Sequence, residues 1–158
     1  MMTNYSNDVF LQLLKYNYTI AFAESMTGGA LASNLVLNPG ASDVIGYSVV
    51  TYSDQVKIKH LNINPMLIDI HGVVSNVIAM EMAKSVRQIA ESNLGVGITG
   101  NAGPTATGNA QVGEVWVAVD YLGEVYSYHL QLKQLSREEV IEQTVKVVYS
   151  MLNQLLKK

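Results

Sequence analysis

A short apolar run, Thr19-Ile20-Ala21-Phe22-Ala23, ends in Glu24-Ser25-Met26-Thr27-Gly28-Gly29, and helix-forming residues resume at Ala30. The run reads as a buried strand and the segment after it as a strand-to-helix turn. No other stretch constrains the fold as much, because it sets strand, tight turn and helix in immediate succession. A serine at such a turn is exposed, and the new helix directs unpaired N–H groups at whatever binds there. Gly28 and Gly29 let that backbone approach a ligand closely. Further along, Thr51-Tyr52-Ser53-Asp54-Gln55-Val56-Lys57 offers a tyrosine and a lysine able to activate the serine.

The remaining pattern predicts alternating helices and strands. Residues 6–16 read as a helix capped by Ser6, with Phe10, Leu13 and Leu14 on one face. The strand at 19–24 follows, then a helix from Gly29 to Leu37 that Asn38-Pro39-Gly40 ends. Val44 to Tyr52 is a strand candidate. Ser53 caps a short helix holding Lys57, and Asn64-Pro65 starts another. Ser75 caps a clearer helix in which Ile78, Met82, Val86 and Ile89 recur at helical spacing. Leu94 to Ile98 is a buried strand running into the glycine-rich loop 99–111. Val112–Val119 and Glu124–Leu132 form a hairpin across Tyr121-Leu122-Gly123. Ser136 with Glu139 is a capping box opening the last helix, whose core face carries Val140, Val145 or Thr144, Val148, Met151, Leu152 and Leu155.

This order predicts an α/β protein, a three-layer α/β/α sandwich with a mixed, mainly parallel sheet. In such folds ligands bind at the carboxyl ends of the strands. The loops after strands 19–24, 44–52 and 94–98 would start there, which places Ser25, Tyr52, Lys57 and the 99–104 loop in one site. No linker or internal repeat is visible, so residues 1–158 are expected to form one domain.

Composition narrows the function classes. The chain has 158 residues, 49% hydrophobic and 15% charged, with a formal net charge of −3. Its one basic run is the Lys157-Lys158 tail, which argues against nucleic-acid binding through a charged face. With no cysteine, disulfides, thiolate nucleophiles and Cys-type zinc sites are excluded. His60, His71 and His129 are scattered, so no metal site is expected. The N-terminus lacks the basic start and apolar block of a signal peptide, and no apolar run reaches the ~20 residues of a bilayer span. A cytoplasmic protein without a membrane partner is expected. A mean hydropathy of +0.17 with few charges leads us to expect a homo-oligomer.

From the residues alone several assignments stay open. Ser25 reads as a helix cap or a nucleophile, and Glu24 as a helix N-terminal charge or a site-orienting acid. Tyr52 is one of nine tyrosines. Lys57 and Lys59 are equally placed on the short helix. The glycines at 28, 29, 100 and 103 serve turns or a phosphate cradle, and the pattern matches neither the dinucleotide nor the Walker motif. Trp116 and the scattered methionines read as packing.

Six segments in order resolve much of this: AESMTGG (23–29), PGAS (39–42), VVTYSDQVKIKHL (49–61), HGVVS (71–75), GVGITGNAGP (95–104) and VGEVWVAV (112–119). Together they resemble the CinA C-terminal domain family, which is similar to nicotinamide-nucleotide amidases, also called nicotinamide mononucleotide deamidases. The resemblance implies an α/β/α sandwich, here in a stand-alone form. It also implies hydrolysis of the carboxamide of nicotinamide mononucleotide, in pyridine-nucleotide salvage. It implies Ser25 as nucleophile with Tyr52 and Lys57 as its activating partners, and the family's step from tyrosine to lysine selects Lys57 over Lys59. Departures from the family pattern are Met26, often cysteine, the 105–111 loop, often richer in glycine, and Ile141, often basic.

The scheme needs a nucleophile, a base, an oxyanion site and a proton for the leaving ammonia, and no metal or cofactor. Lys57 can act as base only when neutral. A free lysine titrates near about 10.4, so burial or a neighbouring cation has to lower it. The nucleotide site is expected to comprise Glu24, Thr27, Gly28, Gly29, Thr99, Gly100, Asn101 and Gly103, with Arg137 as phosphate partner. The alternatives are a non-catalytic nucleotide-binding or interaction module, in keeping with the family's competence/damage-inducible label, and a hydrolase of another small amide or nucleotide.

Overall fold

The structure, a computed structural model, describes residues 2–158. Six helices and five strands alternate as α1 (Asn7–Tyr16), β1 (Ile20–Glu24), α2 (Ala30–Leu35), β2 (Tyr47–Val50), α3 (Asp54–Leu61), α4 (Pro65–His71), α5 (Asn76–Ala90), β3 (Leu94–Gly100), β4 (Glu114–Tyr121), β5 (Glu124–Gln131) and α6 (Arg137–Leu156). A single 3₁₀ turn, Ala41–Asp43, precedes β2.

Local chemistry starts most of the helices. Ser53 Oγ accepts from the Val56 N–H, Asn64 Oδ1 from Met66 N–H and Ser75 Oγ from Ile78 N–H. Ser136 and Glu139 satisfy each other's backbone N–H groups in a reciprocal box. Ser6 differs from the expectation. It precedes α1 but makes no side-chain cap, because its hydroxyl faces the Asn4 side chain and the Asn34 carbonyl, each at 2.9 Å. The hairpin turns through Leu122 and Gly123, both at positive φ, the geometry that matches strand twist in a two-residue loop.

The sheet order is β2-β1-β3-β4-β5. Strands β2, β1 and β3 run parallel, and β4 and β5 return antiparallel. Residues of α1, α2 and α6 close over one face through Val9, Leu13, Leu31, Leu35, Val148 and Leu152, against Phe22, Val96 and Val117. The other face carries α5, with Ile78, Met82 and Val86 packed on Ala21 and Ala23. The layers are therefore helix, mixed sheet, helix, as the element order predicts.

Helix α5 lies very close to β3. A Cβ at Gly97 would stand 2.4 Å from the Ala79 carbonyl oxygen, and one at Gly95 would stand 2.3 Å from that of Ala83. Only a bare Cα fits under the helix at those two positions. Some expected faces differ. Leu14 and Ile89 are exposed, while Val9 turns inward. β2 is shorter than 44–52, because the N–H groups of Val44 and Ile45 close the 3₁₀ turn on the Ala41 carbonyl. Among the described residues no helix is long and apolar enough to cross a membrane.

Candidate active site

The three parallel strands end on the same edge of the sheet. Ser25 follows β1, Thr51 follows β2, and Thr99-Gly100-Asn101 closes β3. Between these ends lies a cavity of about 280 Å³, lined among others by Ser25, Tyr52, Lys57, Thr99, Gly100, Asn101 and Arg137.

The Ser25 turn is fastened from behind. Glu24 is wholly buried, and its carboxylate accepts from Thr27 Oγ1 at 2.7 Å, from Leu31 N–H at 3.0 Å and from Ala32 N–H at 3.1 Å. It thereby satisfies orphan donors at the start of α2. On the far side the Tyr149 hydroxyl donates to the Leu31 carbonyl at 2.5 Å. Gly28 and Gly29 adopt positive φ and turn the chain from β1 into α2. Glu24, Thr27, Gly28 and Gly29 thus lie outside the cavity lining and form the support beneath Ser25.

Lys57 enters from α3 with its side chain buried. Its Nζ lies 3.1 Å from Ser25 Oγ and 2.7 Å from the Thr51 carbonyl oxygen. Burial pushes the amine down from 10.5 to about 8, and Asp54, which also lines the cavity, partly opposes this. A neutral amine can donate to the Thr51 carbonyl and still offer its lone pair to the Ser25 hydroxyl. This arrangement can deprotonate a serine near neutral pH.

Tyr52 lines the same cavity but is 59% exposed. Its hydroxyl accepts from Arg137 Nη2 at 2.8 Å, and Arg137 Nη1 donates to the Gly103 carbonyl at 2.6 Å. The phenol is hydrogen-bonded neither to Ser25 nor to Lys57. Thr99 Oγ1 donates to the Val73 carbonyl, tying the end of β3 to the segment before α5. Asn101 uses both ends of its amide on Thr107 and so holds the 105–111 loop. Gly103 contributes its carbonyl to Arg137 and lies outside the cavity lining.

Several contributors escaped the sequence reading, among them Asp54, the Thr51 carbonyl, Val73 and Val74. The Thr51 carbonyl is backbone and leaves no residue-type signature. Val73 and Val74 line the cavity from the HGVVS segment, whose pattern was the available signal.

Fold and site together define an α/β/α sandwich with a buried lysine–serine pair at the carboxyl edge of its parallel strands. The family model of the CinA C-terminal domain matches residues 2–156, and the chain belongs to that family. A putative competence-damage inducible protein of Lysinibacillus sphaericus is 47% identical over 107 residues, covering 68% of this chain and 26% of that protein. The nicotinamide-nucleotide amidohydrolase PncC of Shewanella oneidensis is 37% identical over 148 residues, covering 93% of this chain and 35% of that protein. The chain thus spans about a third or less of the length of these curated relatives. A CinA superfamily protein of Escherichia coli, solved by crystallography, superposes with a TM-score of 0.92 at 29% identity, over 96% of this chain and 88% of that one.

Proposed function

We propose that this chain hydrolyses the carboxamide of nicotinamide mononucleotide to nicotinate mononucleotide and ammonia. The observation that carries this reading is the buried Lys57 amine, 3.1 Å from Ser25 Oγ and pushed down to about 8. The name of the Shewanella oneidensis relative supports the choice of substrate.

In this reaction neutral Lys57 takes the Ser25 proton as Oγ attacks the carboxamide carbon. The resulting ammonium returns the proton to the leaving nitrogen, and ammonia departs from an ester on Ser25. Water, deprotonated by the same amine, then attacks the ester, and the ammonium passes that proton to Ser25 Oγ as the acid leaves. Tyr52, once turned from Arg137 toward the pair, relays the proton from Lys57 to the leaving nitrogen, Thr99, Gly100 and Asn101 line the nucleotide site, and Arg137 meets the phosphate.

The test is incubation of the purified chain with nicotinamide mononucleotide, with ammonia and the acid product both measured. Product from the wild type and none from Ser25→Ala supports the reading. Full activity in Ser25→Ala rejects it. The phenol held by Arg137 instead of by Ser25 favours a second reading, a non-catalytic nucleotide-binding module. Calorimetric binding of the nucleotide without product would select it.

A further inference from the structure

Arg137 stands at the start of α6, exposed at the rim of the cavity. Its two hydrogen bonds go to neutral acceptors, the Gly103 carbonyl and the Tyr52 phenol. Among the described residues no carboxylate lies within ion-pair distance of this guanidinium, and the salt bridges of the chain involve other cations. With Tyr52 59% exposed, little packing competes with the Arg137 bond in deciding where the phenol sits.

A guanidinium spread over two neutral acceptors exchanges them readily for a phosphate. A phosphate adds an opposite charge that neither present acceptor carries, and the planar fork matches two of its oxygens. We infer that Arg137 is a phosphate-operated latch on Tyr52. Without an anion it parks the phenol away from Ser25 and Lys57. A phosphoryl group on the substrate takes the guanidinium and frees the phenol to turn toward the reacting pair. Arg137 is then a positioning residue that acts on the chemistry through Tyr52. The substrate's phosphate raises turnover as well as affinity. This inference rests on the amidase reading and adds to it how nucleotide is told from nucleoside.

The experiment compares nicotinamide mononucleotide with nicotinamide riboside, which has the same carboxamide and no phosphate, with and without inorganic phosphite. At saturation the riboside is expected to turn over at least about tenfold more slowly, the fold-change that one hydrogen bond from a charged donor can gate. Phosphite in trans should recover most of that deficit. Arg137→Gln should raise riboside kcat above wild type and abolish the phosphite response. An unchanged kcat with only KM raised for the riboside overturns the latch, as does Arg137→Gln that leaves riboside turnover at or below the wild-type value. A second readout needs no activity. The ring resonance of Tyr52, assigned by its loss in Tyr52→Phe, should shift on phosphite titration in the wild type and stay still in Arg137→Gln. A still resonance in the wild type rejects the latch. If nicotinamide mononucleotide is not hydrolysed at all, the amidase reading fails, and the resonance alone decides the latch.

Discussion

Lys57 Nζ reaches from α3 to Ser25 Oγ, just past the end of β1, at 3.1 Å, from a side chain 1% exposed. The amine therefore titrates close to the pH at which it must work. With Lys57 at about 8, kcat/KM for nicotinamide mononucleotide should rise with pH and reach half its plateau near pH 8. Lys57→Met should lose turnover while calorimetry still detects the nucleotide. A flat profile between pH 6.5 and 9.5 would remove the amine from the rate-determining chemistry.

The same burial has a signature in stability. Below pH 8 both folded and unfolded chains carry the Lys57 proton, and the cost of burying the charge is fully present. Between about 8 and 10.5 the folded state has released the proton and the unfolded state still holds it, so stability rises with pH. The gain is complete above 10.5 and amounts to about 3 kcal/mol. Urea titrations of wild type and Lys57→Met across this window should diverge by that amount, the wild type gaining.

Glu24 stabilises the serine turn. Its removal in Glu24→Ala leaves two N–H groups and the Thr27 hydroxyl without their partner. Orphaned buried donors cost about 1–3 kcal/mol each, less whatever water recovers, so a loss of about 3 kcal/mol is expected in chemical denaturation. Ser25→Ala, which leaves this carboxylate untouched, should unfold close to the wild-type midpoint.

Gly97→Ala tests the contact between β3 and α5. The new methyl would meet the Ala79 carbonyl oxygen at 2.4 Å and the Ala83 nitrogen at 2.6 Å. Both are helix backbone and cannot swing aside. Overpacking of this kind costs about 1–3 kcal/mol and sometimes more, so the variant should melt well below wild type. Gly108→Ala, with open space around its Cβ, offers a control that carries only its own backbone strain.

Much of this architecture was legible because its signals are local. Ser53, Asn64, Ser75 and the Ser136–Glu139 pair each bond to groups two or three residues away, so residue type and spacing suffice to read them. Ser6 has the same chemistry, yet its hydroxyl is claimed by Asn34, far along the chain. Helical spacing placed Ile89 on the buried face of α5, but the packed stripe runs from Val86 to Ala90 and leaves Ile89 exposed. Ser25 and Lys57 were readable through an ordered set of motifs. The hold of Arg137 on Tyr52 was not, because it joins residues 85 positions apart through a contact that only the folded chain creates. Glu24 was expected beside the ligand. Its carboxylate turns inward because the donors at the start of α2 need it more than the cavity does.

The two glycines of β3 that admit α5 so closely also distribute rigidity across the cleft. The floor formed by Thr99 and Gly100 continues a strand clamped against a helix that has no slack to yield. Any adjustment to ligands of different bulk must therefore come from the facing wall. There Tyr52 projects into solvent and Arg137 has only borrowed partners, giving the protein one unyielding jaw and one adaptable one.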